Sequence, residues 1–99
     1  MTTRTSTKDP GEIVTLEFDF AAFGTPSSPD ITVDVHRGTD ENPDAVRLGS
    51  ATVSGTKVLQ QMTAGVSGVD YWVRCYASVG SDRPLIDMIV PVRSRPTAA

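Results

Sequence analysis

His36 and Cys75 are the two side chains in this sequence that could pair as base and nucleophile, with Asp34 or Asp70 placed to orient the imidazole. Their settings speak against that use. Cys75 falls at an inward position of an apolar strand pattern, where a thiol behaves as a small hydrophobe, and His36 falls at the outward end of another strand. Asp40, Asn42 and Asp44 have the every-second-residue spacing of the first three oxygen ligands of an EF-hand loop, with Glu41 adding charge. The pattern then fails, because the sixth position is Ala45 rather than Gly, the twelfth is Ala51 rather than Glu, and Pro43 interrupts the loop. A solvated acidic turn is the expectation. With no Cys/His cluster, no phosphate-cradling glycine loop and no Gly-x-Ser-x-Gly elbow, the sequence predicts a protein without catalytic residues, metal or cofactor.

Binding chemistry is better represented. In "VDYWVRCYASV" a period of two puts Trp72, Arg74 and Tyr76 on one face, and aromatic rings with a planar cation are the residue types that dominate interface energetics. They form the candidate docking stripe. The competing expectation is that Trp72 is covered by the domain's own loops or by the stem of a neighbouring Arg. A second candidate is Lys8, Asp9 and Pro10 of "KDPGE", either a plain turn or the hinge of an arm that reaches a neighbour.

These residues need strands to hold them, and the chain supplies strand periodicity throughout. "IVTLEFDF" alternates Val14, Leu16, Phe18 and Phe20 against Thr15, Glu17 and Asp19, and "DITVDVH" alternates Ile31, Val33 and Val35 against Thr32, Asp34 and His36. The Gly24, Pro26 and Pro29 of "GTPSSPD" predict a turn between them. "VRLGSATVSG" reads as a shorter strand in which Gly49 marks a bulge or bend; "TKVLQQMT" follows, with Val58 and Met62 sharing a face. "VDYWVRCYASV" is the longest pattern, with Tyr71, Val73, Cys75, Ala77 and Val79 inward. In the last segment, "RPLIDMIVPVR", Ile86, Met88, Val90 and Val92 share a face, and Pro91 suits an edge or a strand end. Six or seven short strands with no amphipathic helical window predict an all-β sandwich or small barrel.

The 99 residues fit one domain, with 38% hydrophobic and 21% charged side chains. The expected division is an amino-terminal arm at residues 1–9, a β-sandwich at 10–93 and a tail at 94–99. No apolar run reaches the length of a membrane span, and "MTTRTSTKDPG" lacks the apolar centre of a signal peptide, so synthesis in a cytoplasm and no membrane partner are expected. The net charge of −3 is divided unevenly, with nine acidic against three basic residues in 1–44 and three against six in 45–99. That division argues against a nucleic-acid surface and allows an acidic face of one copy to meet a basic face of another.

Two resemblances follow from these stretches. "AGVSGVDYWVRCYA" resembles the turn and strand of fibronectin type III and other immunoglobulin-like domains through Gly68, Tyr71, Val73 and Cys75, which implies that the Tyr71 hydroxyl binds backbone at a sheet corner. The disulfide partner and buried Trp of antibody domains are absent. More broadly, "KDPGEIVTLEFDF", "ATVSGTKVLQQMTAGVSGVDYWVRCYA" and "IVPVR" resemble the small virion proteins of tailed bacteriophages called fiber-tail adaptors. The sequence departs from them in carrying "AGVSG" where a Gly-Gly pair is common and in its short "FGTPSSP" connection. The resemblance implies an immunoglobulin-like β-sandwich of about seven antiparallel strands with flexible terminal arms. It also implies a virion location and a non-enzymatic role at the head-tail connector, collar or fiber attachment region. The partners implied are connector, fiber or capsid subunits and further copies of the chain. A capsid decoration protein is the alternative, and a cellular fibronectin-like or carbohydrate-binding module, with Trp72 and Tyr76 as its site, is a third class.

Overall fold

The computed structural model describes residues 7–94. The sequence alternation becomes six strands: β1 (Val14–Asp19), β2 (Ser27–Arg37), β3 (Arg47–Ser54), β4 (Lys57–Met62), β5 (Asp70–Ser78) and β6 (Leu85–Pro91), with a single 3-10 turn at Pro43–Val46. They form two three-stranded antiparallel sheets, ordered β1-β4-β3 and β2-β5-β6, each with its middle strand from the second half of the chain. An isolated parallel bridge joins Lys8 to Val92. The sheets face each other as a β-sandwich. Among the described residues no helix is long and apolar enough to cross a membrane.

The period of two explains the core. Leu16, Phe18 and Phe20 from the first strand segment, Ile31 and Val33 from β2, and Val58 and Met62 from β4 are buried, as are Tyr71, Val73, Cys75 and Ala77 from β5 and Ile86, Met88, Val90 and Val92 from the last segment. Every residue expected to face inward is in this core or, like Val14, Val35 and Val79, packs against it. Burying seventeen such side chains, at roughly 1.5–3 kcal/mol for each larger aliphatic or aromatic one, is the main term that holds the sheets together.

Three local outcomes differ from expectation or refine it. The composition of Ser27 to Pro29 predicts a turn, yet β2 starts at Ser27 and, at 11 residues, is the longest strand. Ser28 takes a positive φ of 48° and the pairing with β5 slips between Ser27 and Asp30, so the Ser-Ser-Pro stretch makes a bulge and not a chain reversal. β2 is an edge strand, where a missing Pro29 N–H costs no ladder bond on its open side. In β3 the pairing with β4 is lost between Leu48 and Thr52, around Gly49, which agrees with the bulge expected there. The third outcome concerns the amino-terminal boundary. Lys8 and Asp9, expected in the arm, belong to the domain: the Lys8 N–H donates to the Pro91 carbonyl at 2.8 Å and the Arg93 N–H to the Lys8 carbonyl at 2.9 Å. Residues 1–6 of the expected arm, and all of the expected tail except Ser94, lie outside the described residues.

Candidate functional interface

β5 sits in the middle of its sheet, so its outward residues are flanked on both sides. Trp72 pairs with Asp34 and Ile89, Arg74 with Thr32 and Asp87, and Tyr76 with Asp30 and Leu85. The three expected docking residues are therefore on one face, as their spacing requires, and all three are half-buried. The guanidinium of Arg74 lies over the Trp72 ring with its carbon 4.6 Å from the ring centroid. Arg74 also pairs with the Asp34 carboxylate. The Trp72 indole N–H donates to Asp87 Oδ2 at 2.8 Å. The stripe is thus partly self-covered: the cover of Trp72 comes from Arg74 and Asp87 of the same chain, and Trp72 and Tyr76 both stay partly exposed beside acidic neighbours.

Asp34 and Asp87 are not among the site residues that the sequence singles out. Asp87 has a signal that could have found it, because an acid at the third position of "LIDMIV" shares its face with Leu85 and Ile89 in a strand otherwise apolar. It is a buried acid, 9% exposed, and its Oδ1 has no partner; the Nε of Arg74, directly across the pair, is buried without one as well. Unpaired buried groups of this kind carry a desolvation cost.

The Lys8 segment forms a second built feature. The Lys8 side chain is 1% exposed, and its ammonium donates to the Ala64 carbonyl at 2.6 Å and to the Asp9 carbonyl at 3.0 Å. Its burial lowers its pKa from the usual lysine value, against the attraction of Glu12 and Asp9. Asp9 shapes the turn that follows: its Oδ2 accepts the Gly11 N–H at 2.8 Å, and its own N–H donates to Glu12 Oε1 at 2.8 Å. Pro10 lies in this turn, half-buried. "KDPGE" is therefore a clasp that closes on residue 64, where the non-glycine Ala64 has a φ of 51°. Sequence reading misses this role because nothing in the spacing announces a contact across 56 residues.

The corner that Lys8 holds is held from the other side by Tyr71. Its ring is fully buried and its hydroxyl accepts the Val66 N–H at 2.8 Å, the backbone bond expected at a sheet corner. The same hydroxyl donates to Asp40 Oδ2 at 2.6 Å. Burial, and next the Asp40 hydrogen bond, raise the Tyr71 pKa to about 12, while that bond and one from the Asn42 N–H lower the pKa of Asp40. The acidic loop is thus tied to the corner: Asp40 Oδ1 accepts the Asn42 N–H at 2.9 Å, and Asp44 pairs with Arg47 at 2.6 Å. Among the described residues no group of three or more candidate ligands is arranged around a metal position. Tyr71→Phe is expected to lower stability by about 2 kcal/mol, since it orphans the Val66 N–H, and Asp40→Ala by less. The double variant should lose less than the sum in urea unfolding, because both changes remove one shared bond.

Cys75 and His36 are not brought together. Cys75 is fully buried against the opposite sheet, and burial raises its pKa to about 12, so the thiol stays protonated; His36 is exposed on the outward side of β2. The uneven charge along the chain is offset in part by ion pairs between its two halves. In each sheet the one strand from residues 1–44 lies beside a middle strand from 45–99, so Glu17 pairs with Lys57 and Asp34 with Arg74, while Asp44 pairs locally with Arg47.

A cleft of about 470 Å³ opens between the β2 and β3 edges, lined by Asp30, Asp44, Arg47, Ser50 and Gln60 among others. Gln60 is buried and its Nε2 donates to the Leu48, Gly49 and Gln61 carbonyls, which bridges the gap in β3 pairing. Its inward position follows from Val58 and Met62 sharing a face, since residue 60 lies between them in the same period.

Fold and site together define a two-sheet, largely antiparallel β-sandwich domain with a half-covered aromatic stripe on one outer face and a clasped corner at one end. No family model, curated protein or solved structure matches the chain.

Proposed function

We propose that the protein is a non-enzymatic structural subunit of a tailed-bacteriophage particle, an adaptor at the connector, collar or fiber attachment region that works through protein-protein contacts. The observation that carries this reading is the Lys8 clasp. The stretches on which the resemblance to fiber-tail adaptors rests, "KDPGE", "AGVSG…YWVRC" and "IVPVR", are far apart in sequence, yet they meet at one corner: the Lys8 ammonium on Ala64, the Lys8 backbone on Pro91 and Arg93, and Tyr71 on Val66. Motifs that build one another's geometry support a shared architecture better than three short strings do.

The strand order adds support. β1-β4-β3 facing β2-β5-β6 is the order of strands B-E-D and C-F-G in immunoglobulin-like sandwiches, and Tyr71 occupies the place of their corner tyrosine. In this reading rigid sheets hold the outer face of β5, and Trp72 and Tyr76 are the half-buried anchors that a neighbouring virion subunit covers.

Trp72→Ala, introduced into the phage genome, should reduce incorporation into particles at least about tenfold, as expected for loss of a central aromatic anchor. The purified variant should keep its fold by circular dichroism. A variant that unfolds in isolation would make Trp72 a core residue and remove the docking face. Cryo-EM of purified particles checks the location: density at the unique vertex supports the adaptor, and density spread over the capsid lattice replaces it with a decoration protein.

A further inference from the structure

Arg74 passes over the acid nearest to it. In the register of the sheet it stands directly opposite Asp87, while Trp72, two residues back, stands opposite Asp34. Side chains directly opposite each other start about 4.5–5.5 Å apart and diagonal ones about 7–8 Å. Arg74 nonetheless takes the diagonal partner, reaching across the Trp72 ring to Asp34 with its guanidinium carbon 4.6 Å from the ring centroid. Two complementary groups are stranded by that choice. Among the described residues the Arg74 Nε–H is a buried donor without an acceptor, and Asp87 Oδ1, on a side chain 9% exposed, is a buried acceptor without a donor. Trp72 does not compete for that oxygen, since its indole N–H bonds the other one, Oδ2.

The present pairing is weakly held. Asp34 is half exposed, and an ion pair in contact with water adds little to the ring contact. Against it stands the desolvation cost of the two stranded groups, which one bond from Arg74 to Asp87 removes. Turning Arg74 to Asp87 keeps the Trp72 N–H bond, frees the face of the ring and leaves the Asp34 carboxylate unpaired. The vacated place is already shaped to a guanidinium, with a flat ring to stack on and a carboxylate to pair with.

We infer that the outer face of β5 docks an arginine side chain of a partner protein, which takes over the Trp72 ring and Asp34 while Arg74 moves to Asp87. The inference rests on the docking reading above and names the chemistry of the partner. Charge selects the occupant: once Asp87 neutralises Arg74, the exposed acids Asp34 and Asp30 of β2 remain beside Trp72 and Tyr76, and they favour a basic side chain over an acidic one. Arg74 is then an internal competitor. It shields the ring in the free protein, and a partner displaces it only by preferring the state in which Arg74 has moved.

Trp72 is the only tryptophan in the sequence, so its fluorescence reads this face alone. The isolated full chain is titrated at low salt with an acetylated, amidated Gly-Arg-Gly peptide, and with Gly-Glu-Gly as the charge control. The arginine peptide should bind and the glutamate peptide should not. Arg74→Ala, which removes the competitor, should bind at least about fivefold more tightly. Asp34→Asn should bind at least about tenfold more weakly. Asp87→Asn keeps an acceptor for the Trp72 N–H and takes away the charge that draws Arg74, so affinity should fall at least about fivefold although residue 87 does not touch the peptide. A crystal structure of Asp34→Asn gives a second measure and should show Arg74 Nε bonded to Asp87 Oδ1. Weaker binding by Arg74→Ala, unchanged binding by Asp87→Asn, no binding of the arginine peptide, or an Arg74 still over Trp72 in the Asp34→Asn crystal would each overturn the inference. These measurements need no particle, so their failure removes the arginine site and leaves the adaptor reading to the incorporation of Trp72→Ala, while failure of that reading leaves the site in the isolated chain intact.

Discussion

Raising the pH from 8 to 11 should cost the protein a sizeable part of its stability, with the urea midpoint falling steadily above pH 9. Two groups drive this. The buried Cys75 thiol keeps its proton up to about pH 12 in the folded state, against an ordinary value of 9.0, and the Tyr71 phenol does so to about 12 against 10.0. Between those limits the unfolded chain gives up protons that the folded chain retains. Stability tied to these groups is complete below pH 9 and is lost as the pH climbs toward 12. At about 1.4 kcal/mol per unit, Cys75 costs roughly 3 kcal/mol by pH 11 and Tyr71 about 1 kcal/mol.

Lys8 acts the other way. Its pKa is lowered on folding, so from that value up to its ordinary 10.5 the unfolded chain carries the extra proton and rising pH favours the folded state. It offsets part of the loss and does not reverse it, since two buried acids stand against one buried base. A domain of this size has only about 5–15 kcal/mol to lose, which makes the combined effect easy to measure. Cys75→Ala separates the terms: it should be less stable at pH 7 because of the space left behind, but its loss between pH 8 and 11 should shrink to the Tyr71 share. A variant with the unaltered pH slope would show that the thiol is not the group responsible.

The alternation of apolar and polar residues makes the two sheets legible in the sequence. It places Tyr71, Val73, Cys75 and Ala77 inward and Trp72, Arg74 and Tyr76 outward because side chains on a strand can point only two ways. Edges of elements are less legible. The Ser27 to Pro29 stretch has the composition of a turn and forms a bulge, because a left-handed Ser28 absorbs the geometry that would otherwise end the strand. Partners across long sequence separations are not legible at all. Nothing local tells that Asp40 meets Tyr71, that Asp87 accepts from Trp72, or that Glu17 meets Lys57 and Asp34 meets Arg74; those facts arise from which strands become neighbours. Residue type and spacing locate the docking stripe, while its cover, Arg74 stacked on Trp72, depends on two adjacent outward positions of one strand closing over each other.

Lys8→Ala should cost about 3 kcal/mol and loosen one particular corner, an outcome foreign to a residue in a free arm. A long side chain at 1% exposure fills space that alanine leaves empty, and its ammonium is the donor that satisfies the Ala64 carbonyl. Ala64 holds a positive φ, followed by Gly65 at 100°, so the chain there needs outside support to keep its path. Losing the ammonium should therefore raise amide exchange across residues 63–69 before it affects β2 or β4. Lys8→Met tests the same point from the other side. It keeps the packing, removes the burial cost of the charge and loses only the hydrogen bonds, so its penalty should fall to about 1 kcal/mol while the corner still loosens. If both variants leave exchange at the corner unchanged, the clasp is not what holds it. The reading built on the meeting of "KDPGE" with "AGVSG" would then lose its main support, because the contact joining the two motifs would carry no structural weight.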